Sequence, residues 1–147
     1  MEKEIEFLEY IYNLIKIEKA TISRIIKLRN KTDELSHILR RQIERYNRFL
    51  VAIKNMLERR KKKSKDLNIL EKMASYAGAK SVLSKDNSLK DVLNILTKRY
   101  QISAEDVKQK REELKISSKT ILNLSDRLME FQKNSIEDIR KIHLTNE

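Results

Sequence analysis

The chain is 147 residues long, the size of one folding unit, with a formal charge of +11 and 37% charged residues. It has one glycine, no proline and no cysteine, which argues against sheets joined by tight turns and excludes disulfides, thiol nucleophiles and cysteine-ligated metals. Its excess of Leu, Ile, Lys and Glu at helical spacing points instead to an all-α fold, an elongated antiparallel helical bundle or coiled coil. The expected arrangement is a single domain over residues 1–147, with two long helices and two short helices between them.

The amino end reads Met1-Glu2-Lys3-Glu4-Ile5-Glu6, with acids where a secretory signal carries bases, so the expected location is cytoplasmic. The longest uncharged apolar run, Phe49 to Ile53, is far shorter than the ~20 residues that cross a bilayer. From Ile5 onward apolar residues recur at Leu8, Tyr12, Ile15, Ile22 and Ile26, then at Leu35, Leu39, Ile43, Tyr46, Leu50, Ile53 and Leu57. Steps of three, four and seven are the helical period. The register falters over Arg29-Asn30-Lys31-Thr32-Asp33-Glu34, where Thr32 or Asp33 can cap a fresh helix. The first long helix, over about residues 3–62, is therefore either two helices or one kinked rod; unbroken, it would run about 85 Å.

Asp66 starts a short helix through Leu67, Leu70, Met73 and Ala77, with Gly78 placed for a left-handed stop. Residues 79–87 read as a loop. Ser88 with Asp91 forms a capping box for a second short helix, whose buried face is Leu89, Val92, Leu93 and Leu96 and which ends near Tyr100. Ser103 with Asp106 repeats that pattern before Val107, Leu114, Ile121, Leu124, Leu128 and Phe131. Leu114, Ile121 and Leu128 are seven apart, a partial heptad seam, and Ile136, Ile139 and Ile142 continue the stripe. The last long helix is expected over about residues 103–142.

The charge is localised. Residues 40–65 carry Arg40, Arg41, Arg45, Arg48, Lys54, Arg59, Arg60, Lys61, Lys62, Lys63 and Lys65 against Glu44 and Glu58, and so hold +9 of the total +11. Codon bias spread along the chain does not produce that pattern. Cations at a helix end complement its dipole, but the effect fades within a turn. Either the run is a solvated helix end, or it contacts phosphate, RNA or an acidic protein. Few aromatics lie nearby to stack on bases.

Catalytic signals are sparse. His37 and His143 are the two histidines and have no ligand partner at helical spacing, Glu112-Glu113 and Glu105-Asp106 occupy ordinary surface positions, and no glycine-rich phosphate loop occurs. The chain reads as non-enzymatic, with no cofactor and no metal. In the last helix Ile116, Leu122 and Met129 lie off the heptad line; they either widen the core stripe or offer a second apolar strip to a partner helix.

Three stretches carry a family resemblance: Ser88-Leu89-Lys90-Asp91-Val92-Leu93, Arg111-Glu112-Glu113-Leu114, and Ile121-Leu122-Asn123-Leu124-Ser125-Asp126-Arg127-Leu128-Met129-Glu130-Phe131. With the helix layout they resemble the FlgN-like flagellar type III export chaperones, in which long first and last helices surround a partner's carboxy-terminal helix. Leu122-Asn123 and Leu128 match a Leu-Asn pair and a Leu-rich turn of that family. Asp126 or Arg127 stands where its second asparagine is common, and the +9 segment departs from its acidic character.

The resemblance implies a chaperone or adaptor for an amphipathic segment of a partner protein. The expected docking strip is Leu124, Leu128, Phe131, Ile136 and Ile139. The alternative is a nucleic-acid- or polyanion-binding accessory protein using Arg40, Arg41, Arg45, Arg48, Arg59, Arg60, Lys61, Lys62, Lys63 and Lys65. A third reading is a structural coiled-coil subunit, and the same stripes are compatible with a homo-oligomer.

Overall fold

A computed structural model of the chain describes residues 2–60 and 88–145. These residues form four α-helices and no strand: α1 Glu2–Arg29, α2 Glu34–Arg59, α3 Leu89–Glu113 and α4 Lys119–Thr145. The expected helix at 66–77, its stop at Gly78 and the loop at 79–87 lie outside the described residues.

The first long stretch is two helices. Asn30 ends α1 with a positive φ of 49°, a region asparagine tolerates better than most residues, and its N–H donates to the Ile26 carbonyl at 3.0 Å. Asp33, not Thr32, is the cap of α2. Its Oδ1 accepts from the Ser36 N–H at 3.0 Å, satisfying one of the orphan donors of the first turn, and its other oxygen pairs with Arg29. Burial alone would raise the Asp33 carboxyl, but the Ser36 hydrogen bonds and the Arg29 charge hold it below its ordinary value.

The capping box at Ser88 is present: Ser88 Oγ accepts from the Asp91 N–H at 3.1 Å, and Asp91 Oδ2 accepts from the Ser88 N–H at 3.4 Å. The helix it opens does not stop near Tyr100. It runs on to Glu113, and the expected start at Ser103 is instead a buried mid-helix position whose hydroxyl accepts from Gln132 Nε2 at 2.7 Å. The chain turns at 114–118. Lys115 N–H donates to Glu112 O at 3.1 Å and Ile116 N–H to Arg111 O at 3.2 Å, with Lys115 at φ 53°, the paired bonds of a Schellman stop. Ser118 then opens α4, its carbonyl accepting from Leu122 N–H at 2.9 Å. Leu114 is therefore the C-cap of α3 and Ile121 lies on α4, and their seven-residue spacing spans a turn rather than a seam.

Each helix packs along two others: α1 on α2 and α3, and α4 on α2 and α3. Arg60 reaches Glu4 at 2.9 Å, setting the end of α2 beside the start of α1. Arg111 on Asp126 at 2.6 Å does the same for α3 and α4, and Glu18 faces Arg99 across α1 and α3. The apolar stripes meet in one cluster that includes Ile11, Leu39, Ile53, Leu96, Val107 and Leu128. Ile116, Leu122 and Met129 are half-buried, and Ile116 and Met129 pack against that cluster and widen the core stripe.

A left-handed lysine costs about 1 kcal/mol or more relative to glycine. Lys115→Gly should therefore raise the unfolding free energy by about 0.5 to 1 kcal/mol in urea titration. In a continuous helix the same change would lower it by about 1 kcal/mol, so the sign of the effect tests the turn.

Candidate functional site

The seam between α2 and α4 is open along part of its length. Its wider part is a depression of about 630 Å³ lined by Ile38, Arg41 and Arg45 of α2 and by Arg127, Phe131 and Ser135 of α4, among others. It continues into a narrower part of about 180 Å³ against Arg48, Phe49, Ala52 and Leu124. Arg45 and Arg127 border both parts, which makes them one groove.

Helical spacing places these side chains. Arg41, Arg45 and Arg48 are four and three residues apart, so they form a row along one edge of α2. Gln42, Tyr46, Phe49 and Ile53 fall one step round the helix and are buried. The floor is the margin of that core. Phe49 and Phe131 lie with ring centroids 5.7 Å apart and tilted by 40°, and the Arg45 guanidinium sits 6.0 Å over the Phe49 ring, a cation–π contact.

Of the arginines elsewhere, Arg29, Arg60, Arg99, Arg111 and Arg140 each hold a carboxylate, while Arg24, Arg40 and Arg59 have no ion pair among the described residues. Arg41, Arg48 and Arg127 have no ion pair among the described residues, so this row carries uncompensated charge. The groove is uneven along its length. Glu34, Glu130 and Asp138 enter its wider part, whereas the narrower part has arginine as its sole charged lining.

The expected docking strip is not on the surface. Leu128 is 0% exposed, Leu124 and Ile139 1%, Ile136 8% and Phe131 9%; their burial is already used inside this chain. Leu124 and Phe131 alone among the five also edge the groove. Of the basic candidates, Arg40, Arg41, Arg45, Arg48 and Arg59 are exposed on α2. Arg60 instead folds back, its Nε and Nη2 on Glu4 at 3.0 and 2.9 Å and its Nη1 on the Met56 carbonyl at 3.0 Å. Lys61, Lys62, Lys63 and Lys65 lie outside the described residues. Arg127 was not anticipated, because Asp126 and Glu130 beside it give its helix a balanced charge, and only the packing of α4 on α2 brings it to the arginine row.

A polar layer crosses the bundle interior and reaches the groove at Gln42. Tyr100 Oη donates to Gln42 Oε1 across the core, and Arg99 donates to Glu18 at 3.3 Å and to Thr21 at 3.1 Å. Burial pushes the Tyr46 and Tyr100 phenols well above their ordinary range. Burial likewise pushes the Glu18 carboxyl up to about 6, outweighing the Arg99 guanidinium that pulls it down.

No protein-family model matches the chain, and no curated protein and no solved structure matches it. No helix among the described residues is long and apolar enough to cross a membrane.

A carboxyl raised on folding stabilises the fold below its unfolded value and loses that contribution as pH rises through the folded one. A rise from 4.5 to about 6 corresponds to about 2 kcal/mol. Between about pH 4 and about pH 7.5 the wild type should therefore lose about 2 kcal/mol of unfolding free energy relative to Glu18→Gln. Parallel stability profiles for the two chains would assign the titration to another group.

Proposed function

We propose that this chain is a non-enzymatic cytoplasmic adaptor or chaperone, an elongated antiparallel bundle that holds an amphipathic segment of a partner protein in the α2–α4 groove. The observation that carries this reading is the pairing of an apolar floor, Phe49, Ala52 and Leu124, with a rim of arginines that no described carboxylate neutralises. A helix laid along the groove meets both. The resemblance of the Ser88–Leu93 and Ile121–Phe131 stretches to FlgN-like export chaperones supports the same class. The docking surface moves from the buried strip to its open margin, where Leu124 and Phe131 come to the edge.

Affinity capture from host lysate tests the reading. The wild-type chain is expected to retain one dominant protein with or without nuclease, and Ala52→Arg, which fills the narrow part of the groove, is expected to release it. Ile102→Arg, at an exposed position on α3, serves as the control and should retain it. Equal retention by both variants would place the partner elsewhere.

A second reading rests on the exposed Arg40, Arg41, Arg45, Arg48 and Arg59, which suit a nucleic acid or another polyanion. Binding of duplex DNA through these residues predicts a fall in log affinity of about 0.9 per log unit of salt for each phosphate neutralised. A slope near zero in fluorescence titrations would rule that reading out.

A further inference from the structure

We infer that the segment this groove takes is an acidic amphipathic helix, with carboxylates set to meet Arg45, Arg48 and Arg127 and apolar residues set against Ala52 and the exposed margin of Phe49. This rests on the adaptor reading above and adds the chemistry of the partner to it. The charge is complementary at one end in particular. The narrow part of the groove has arginines from both walls and no acid, while in the other part Glu34, Glu130 and Asp138 stand among Arg41, Arg45, Arg127 and Lys141.

That asymmetry separates a peptide from a polyphosphate. A nucleic acid presents phosphates at regular intervals and would meet the three carboxylates interspersed among the basic side chains of the wide part as well as the arginines of the narrow one. A helix varies its charge from turn to turn and can be acidic at one end alone. Arg45 and Arg48 lie three residues apart, about one turn at ~1.5 Å per residue, so acids three or four residues apart at one end of a partner helix fall opposite them. The floor also disfavours base stacking. Phe131 meets Tyr46 edge-on, at 88° and 4.9 Å, and both phenylalanines are more than nine-tenths buried, so neither offers an open face.

The test uses the full chain and three designed helical peptides of about four turns, identical in their leucine stripe and carrying Glu, Gln or Lys on the flank. The Glu peptide should bind at least tenfold more tightly than the Gln peptide by fluorescence anisotropy. In the double variant Arg45→Glu/Arg48→Glu, at two exposed positions, the preference should pass to the Lys peptide. The double variant Lys98→Glu/Lys108→Glu, which removes the same charge from exposed positions of α3, should leave the wild-type order intact.

Equal binding of the Glu and Gln peptides would overturn the inference and leave the adaptor reading standing. Binding of none of the three would overturn both. Loss of selectivity in the α3 variant would reduce the effect to overall charge, and displacement of the Glu peptide by single-stranded RNA at equal charge concentration would make the groove a polyanion site.

Discussion

The contact on which the arrangement turns is made by Tyr46. It projects from α2 into the other helical pair, where its ring stacks on Tyr100 of α3 at 6.4 Å and 11° and meets the edge of Phe131 of α4 at 4.9 Å. Such pairs contribute about 0.5–1.5 kcal/mol each beyond area burial. More important is their geometry, since one side chain fixes both distances from α2 to the opposite pair. Gln42, one turn earlier on the same face, adds the hydrogen bond from Tyr100, so the register of α2 against α3 is specified by polar as well as apolar contacts.

The bulk of those rings has a cost at the margin. Where Tyr46, Phe49 and Phe131 fill the space between α2 and α4, the helix surfaces beside them stay apart, and the open seam follows. Small side chains line the α3–α4 contact instead: Ser103 and Ser125 are buried, and Ser103 accepts a hydrogen bond from Gln132 across it. The groove is thus a consequence of aromatic packing on one seam. Its arginines follow from the period of α2, since the residues flanking a buried i, i+4, i+7 stripe fall at the edge of the seam.

Much of the fold was legible in the sequence because most of it is periodicity. Leu35, Leu39, Tyr46, Ile53 and Leu57, and Val92, Leu93 and Leu96, are buried as their spacing predicted, with Leu89 half-buried, and the caps at Asp33 and Ser88 were readable from residue type. The turn at 114–118 was not. A helix stop is normally read from glycine or asparagine, and here a lysine takes the left-handed position, its cost offset by two backbone hydrogen bonds and by the hairpin contacts it allows. Ser103 and Asp106 imitate a helix start so well that only the hydrogen bond from Gln132 reveals the serine as an interior group. Arg127 escaped for a related reason. One-dimensional charge counting sees its acidic neighbours, whereas the groove depends on which helix lies opposite.

The apolar residues offered to a partner by the sequence pattern are occupied by the bundle itself, which would limit how the proposed partner could be held. Fully burying a leucine or phenylalanine is worth about 1.5–3 kcal/mol, but Phe49 and Phe131 are already 7% and 9% exposed and have little of that left to gain. A partner docking on the closed bundle must therefore draw on the arginine row. Exposed ion pairs contribute roughly 0.2–1 kcal/mol each and weaken with salt, so such a complex is modest in affinity, selective in charge and readily released. A tight, salt-insensitive complex would need the strip from Leu124 to Ile139, and reaching it means separating α4 from α2 and giving up the Tyr46 contacts. On the adaptor reading two regimes of binding would follow, and the cost of moving from the first to the second would be the aromatic cluster that holds the two helical pairs together.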